Sequence, residues 1–189
     1  MDCPRAVQMN ANPFVKPKVL TGWLLFASIA AALCLAFSTS LILLSPVASS
    51  LWLLVVLSLV FATALAAIWL ARERRAKRWT AKAIEQWQRL EMTRRQMGTT
   101  TEVTILTIDV VEPTGTWVTL RWNQFDHVQR AWMEALPDEI WEGAALLICP
   151  DPEQIQLRSP WPPIYYLRAT SYHGFAPAAA RSDYEKLLR

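Results

Sequence analysis

The chain has 189 residues, of which 53% are hydrophobic, with 19 basic and 16 acidic side chains and a net charge of +3. Its three cysteines, Cys3, Cys34 and Cys149, lie far apart, which excludes a CxxC metal or redox pair, argues against a disulfide framework and points to a reducing compartment. Once the apolar part is set aside, enough chain remains for one small domain with its own core and not for two.

Residues 1–18 form a short segment with three basic residues and one acidic residue. It is not expected to be a cleavable signal, because the apolar run that follows is too long for a signal core and a second run succeeds it. From Val19 through Ala71 there is no Asp, Glu, Lys, Arg or His, and Leu44-Ser45-Pro46 marks the single break. At about 1.5 Å of rise per residue each half exceeds a hydrocarbon core of roughly 30 Å, so a transmembrane helical hairpin over 19–71 is expected, with spans at 20–44 and 47–71. Lys16 and Lys18 precede the first span, and Arg72, Arg74, Arg75, Lys77 and Arg78 follow the second. The positive-inside rule then puts both termini in the cytoplasm, and compact size without an organelle-targeting segment favours a bacterial inner membrane. Trp23, Trp52 and Trp69 lie near span ends, at headgroup level.

Neither span carries an ionisable residue of the kind that marks proton relays or ion pathways, and neither has a His to hold a haem or pigment. No cofactor or metal site is expected there. Ser28, Ala31, Ala32, Ser38, Thr39 and Ser40 in the first span and Ala62, Ala64, Ala66 and Ala67 in the second let helices approach closely. Such faces serve either to pack the spans on each other or to dock one of them on a larger membrane protein.

Residues 72–98 predict a basic amphipathic helix ended by Gly98, with nine basic and three acidic residues in 72–97. Ala76, Trp79, Ala83, Trp87 and Leu90 recur at three- and four-residue spacing. Arg72, Arg74, Arg75, Lys77, Arg78, Trp79 and Trp87 are therefore the candidate membrane-surface residues, meeting anionic lipid headgroups at about 1 kcal/mol per basic residue. An ordinary solvated linker helix is the alternative. Nucleic acid is not an expected partner, because residues 98–189 carry twelve acidic residues against seven basic ones.

Residues 99–168 predict a cytoplasmic α+β domain. Glu102–Val111 and Thr116–Trp122 read as two strands joined at Pro113-Thr114-Gly115, and Asp126 is placed to cap a helix over 127–136 with an apolar face of Val128, Ala131, Trp132, Ala135 and Leu136. Further short strands are expected at Ala144–Cys149, Gln154–Leu157 and Ile164–Leu167. Together these suggest a small antiparallel β-barrel-like or curved-sheet domain with one covering helix, resembling oligonucleotide-binding or SH3-like barrels in size. Residues 169–189 read as an extended C-terminal arm ending in a short helix.

Candidate chemistry would have to come from His127, His173, Cys149, Asp151 and Glu153, none of which falls in a diagnostic spacing. No enzymatic activity is expected. The ten tryptophans favour interaction instead, and Trp161, Tyr165 and Tyr166 of the PWPPIYY run, with Trp141, are the candidate partner-binding residues. The function expected is that of a non-catalytic accessory or scaffold subunit of a larger membrane complex, of energy-converting, transport or secretion type. A free-standing membrane-tethered module that binds a ligand or peptide is the alternative.

Overall fold

The computed structural model describes residues 12–44, 49–134, 136–155 and 160–188, so the expected turn at Ser45-Pro46 lies outside the described residues. The chain divides into two compact units, one formed by 17–79 and the other by the segment up to Lys16 together with 80–189.

In the first unit, α1 (Gly22–Leu44) meets the apolar part of α2 (Ser49–Met97) along a seam of Leu24, Ala27, Ala31 and Leu65, with Trp69 packed beside it. The small residues on α1 permit this approach. Trp69 Nε1 donates to Ser28 Oγ at 3.0 Å, and Arg72 Nη1 donates to Thr21 Oγ1 at 3.1 Å. The hydroxyls of Ser28, Ser38, Thr39 and Ser40 each donate to a carbonyl one turn earlier, so these polar groups are satisfied within the helix itself. Away from the seam, Trp23, Phe26, Leu33, Phe37, Trp52 and Phe61 are all more than half exposed. Both helices are long and apolar enough to cross a membrane.

The second unit is built on a six-stranded mixed, open sheet of order β5-β3-β2-β1-β4-β6: β1 Thr101–Glu112, β2 Gly115–Trp122, β3 His127–Met133, β4 Ala144–Ile148, β5 Ile164–Leu167 and β6 Tyr172–Pro177. All neighbours are antiparallel except β3 and β5, so the expected antiparallel sheet is corrected to a mixed one. Gly98, at φ 67, ends α2 as its residue type anticipates, and the chain turns directly into β1. Pro113 and Thr114 form the two-residue connection between β1 and β2. At Gly115 an added Cβ would lie 2.6 Å from the Trp132 ring and 2.7 Å from the Met133 carbonyl oxygen, so only glycine fits there.

Two register shifts interrupt the pairing of β1 with β2, between Ile105 and Thr107 and between Ile108 and Val110. Each extra residue reverses the inward and outward alternation. The core face therefore runs through Val103, Ile105 and Ile108, where unbroken alternation would have put Thr107 beside Ile105.

The expected helix over 127–136 is not formed, because His127–Met133 is strand β3, paired with β2 from Thr116↔Met133 to Trp122↔His127. Asp126 adopts a positive φ of 47 in the connecting loop instead of capping a helix. Gln129, Ala131 and Met133 point inward and are buried, whereas Val128 and Arg130 are exposed. Spacings of three and four residues suggested a helix, but the same stretch also alternates, and the ladder to β2 decides between them. Gln154 and Ile155, expected to start a strand, lie in a turn; the remainder of that strand lies outside the described residues.

With no helix over this face, the core is closed by loops. Val103, Ile105, Val118, Leu120, Trp122, Ala131, Met133, Leu146, Tyr165 and Leu167 form its interior, and Leu136, Trp141, Ile155 and Trp161 pack against it. Phe14, from ahead of the apolar helices, belongs to the same core, 5% exposed and 6.0 Å from the Phe175 ring. Asn12 Nδ2 donates to the Glu142 carbonyl at 2.8 Å, and Lys16 pairs with Asp183 at 2.6 Å. Residues 12–16 are thus strapped to the domain.

The segment expected as an extended arm contributes structure as well: β6 pairs with β4, and a 3-10 turn leads into α3 (Arg181–Leu187). Ala83, Trp87 and Leu90 on the C-terminal part of α2 are buried within this unit. Trp87 Nε1 donates to the Pro177 carbonyl at 2.8 Å, its ring stacks on Tyr184 at 6.1 Å, and the Arg181 guanidinium lies 5.9 Å from it.

Candidate functional site

Strand register assembles an aromatic row on the outer face of the sheet. Trp117 on β2 pairs with Trp132 on β3, which pairs with Tyr166 on β5, and Val110 of β1 extends the row beyond Trp117. Cross-strand partners share a face, and their inward neighbours Val118, Ala131 and Tyr165 are all buried. Trp117 and Trp132 meet edge to face at 4.9 Å. The Arg130 guanidinium sits 4.7 Å from the Trp117 ring centre, and Trp117 Nε1 donates to Glu112 at 3.2 Å. Asp109 accepts from Thr119 and lies 3.8 Å from Arg130, so ring and cation are held in place by the sheet's own side chains. Tyr166 is 54% exposed, and Val110 and Val128 are close to half exposed.

Tyr166 also lies on an edge strand, whose free backbone groups would invite pairing. Gln154 satisfies them: its Oε1 accepts from Tyr166 N at 2.7 Å and its Nε2 donates to Tyr166 O at 2.9 Å. The side chain at 166 is therefore displayed while its backbone is closed.

The four candidate partner-binding residues divide. Tyr166 is displayed, whereas Trp141 is half-buried against the core. Trp161 is half-buried at the β2–β3 end, stacked on His127 at 4.4 Å and 5.6 Å from exposed Phe125. Tyr165 is corrected: at 1% exposure its ring belongs to the core, 5.1 Å from Trp122. Trp117 and Trp132 are half-buried residues of the outer face that the sequence reading did not single out. The signal lay in the alternation of 128–133, which puts Trp132 on the outside once the stretch is taken as a strand.

Of the candidate membrane-surface residues, Arg74, Arg75, Lys77 and Arg78 are exposed, with Lys77 paired to Glu73 at 2.7 Å, and Arg72 and Trp79 are half-buried. Trp87 is corrected: it is buried against β6 and α3, so it is not free to enter a bilayer interface.

A polar corner collects other candidates. Cys149 Sγ lies 3.2 Å from His173 Nε2, and Asp151 N donates to Tyr165 Oη at 2.9 Å. Gln154 and the Glu153 amide donate to the Asp151 carboxylate and hold it below the usual carboxylate range, with Arg168 adding to the effect. Burial pushes the Tyr165 phenol above its usual value. His127 belongs to the separate Trp161 cluster. Among the described residues no three His, Cys, Asp or Glu side chains are placed to hold a metal ion. Elsewhere a polar cavity of about 250 Å³ is lined by residues that include Arg94, Thr100, Glu102 and Arg181. Its carboxylate is already matched, since Arg181 and Asn123 both donate to Glu102 at 2.6 Å.

The Tyr165 geometry sets a pH dependence. Its folded-state pKa is raised, so the stability it contributes is intact below the ordinary phenol value of about 10 and is lost as pH rises through the folded value. Tyr165→Phe is expected to show a shallower loss of stability above about pH 10 than the wild type in alkaline unfolding. Parallel curves would contradict the assignment.

Comparison with family models, curated proteins and solved structures gave no match.

Proposed function

We propose that this protein is a non-catalytic accessory or scaffold subunit of a larger complex in a bacterial inner membrane, of energy-converting, transport or secretion type. The apolar hairpin docks in the bilayer, and the outer face of the sheet meets a cytoplasmic surface of the complex. The observation that carries this reading is the row Trp117–Trp132–Tyr166, prearranged by Arg130 and Glu112 and open to solvent at Tyr166. Aromatic anchors held in place lose little conformational entropy on binding. The exposed apolar faces of α1 and α2 favour a bilayer as their surroundings. Residues 12–16 and the C-terminal domain share one core, which calls for an even number of crossings between them; two spans with both termini on one side meet that requirement. Arg74, Arg75 and Arg78 then face anionic headgroups.

The alternative, a free-standing tethered module that binds a ligand or peptide, is favoured by the polar cavity, where Thr100 Oγ1 is buried without a partner among the described residues. Gentle detergent extraction from the native membrane, native-gel separation and mass spectrometry of comigrating proteins distinguish the two. Comigration with a large complex at fixed stoichiometry, lost on Tyr166→Ser, is the expected result. That exposed substitution changes folding stability by no more than about 0.5 kcal/mol. Migration alone, as a monomer or small homo-oligomer, would overturn the subunit reading and direct the search to the cavity.

A further inference from the structure

β4 and β6 pair in regular register from Ala144↔Pro177 to Leu147↔Gly174, and then shift, so that Ile148 faces Tyr172 and His173 is left as the extra residue. Bulges of this kind re-aim a side chain. Here the result is a thiol and an imidazole in contact, with Cys149 Sγ 3.2 Å from His173 Nε2. The backbone ties Cys149 to the segment that leads into β6, because Cys149 N donates to the Ser171 carbonyl at 2.9 Å. Cys149 and His173 are both half-buried rather than sealed in the core. Neither group has a role in the core, in the aromatic row or in the strap of residues 12–16.

We propose that Cys149 and His173 form a peroxide-reactive thiol site, independent of the subunit reading. His173 takes the thiol proton, and the sulfur attacks one oxygen of hydrogen peroxide. The O–O bond breaks as the S–O bond forms, the sulfur is oxidised by two electrons to a sulfenic acid, and the departing hydroxide collects the proton from His173 and leaves as water. The thiolate is the reacting form, so a base in contact with sulfur accelerates the step. Cys149 is the only cysteine in residues 80–189, and the other cysteine of its unit, Cys3, lies outside the described residues. The sulfenic acid then persists, or condenses with a thiol, Cys3 or a small soluble one, to a disulfide with loss of water. Because Cys149 follows β4 and bonds Ser171 just ahead of β6, either product places new bulk at the β4–β6 junction.

The test uses the full-length protein in detergent micelles, treated with graded hydrogen peroxide, trapped with dimedone and read at Cys149 by mass spectrometry. Wild-type Cys149 is expected to react about tenfold faster than free cysteine in the same buffer, an advantage that disappears in denaturant. His173→Gln is expected to remove most of that gain, with an unchanged thermal unfolding midpoint showing that the fold is kept. A native rate equal to that of free cysteine, or one that His173→Gln leaves unaltered, would overturn the proposal. If His173→Gln does not fold, the native-to-denatured ratio of the wild type decides the matter alone.

Discussion

Phe14→Ala is expected to destabilise the C-terminal unit by about 3–5 kcal/mol, the range for removing a buried aromatic ring and leaving a cavity. Phe14 is 5% exposed and lies within the same core as Val103, Leu146 and Tyr165, with its ring edge-to-face with Phe175. Phe14→Leu keeps most of the apolar volume and should cost less than about 1.5 kcal/mol. Hydrogen exchange of the β4 and β6 amides, measured on the full chain in detergent, reads this directly. Faster exchange in the alanine variant with near-native exchange in the leucine variant is the expected pattern. Unchanged exchange in both would mean that residues 12–16 do not belong to the domain core, and would remove the argument for an even number of crossings.

Trp122→Ala is the second large effect, expected at about 3–5 kcal/mol. Trp122 is 1% exposed, sits 5.2 Å from Trp161 and 5.1 Å from Tyr165, and donates through Nε1 to Gln129 Oε1 at 3.1 Å. Gln129 is itself buried and also donates to the Pro162 carbonyl, which ties the proline-rich segment to β3. Trp122→Phe isolates the polar part: it retains most of the ring volume and leaves Gln129 Oε1 without its donor, at about 1–3 kcal/mol. Denaturant unfolding of the two variants against wild type gives both numbers. Equal losses would mean that the hydrogen bond, rather than ring burial, dominates at this position.

Much of the local structure was legible in the residues. β1, β2 and β4 appear within a residue or two of their expected bounds, and β5 at Ile164–Leu167 coincides with them. Turn chemistry explains this agreement: Pro113-Thr114-Gly115, Gly143 and the prolines around 150 and 160 punctuate runs of β-branched residues. The candidate site was less legible. Tyr165 and Tyr166 are adjacent and chemically alike, yet pairing with β3 buries one and displays the other. Trp87 sits on a basic amphipathic helix of the kind that lies on membranes, and only its contact with Pro177 and Tyr184 assigns it to the domain.

By itself the sequence determined that 19–71 is uncharged and broken once, that basic residues flank it, and that an acidic, aromatic-rich domain with β-strands follows. These are properties of composition and short-range periodicity, which act over a turn or a few residues and need no partner segment. The tertiary structure alone decided that 127–133 is a strand, that two bulges in β1 reset its faces, that Phe14 enters a core built more than 80 residues further on, and that His173 reaches Cys149. Each of these depends on a ladder or contact between distant segments, and there burial and backbone pairing across the fold outweigh the weak local preferences of the chain.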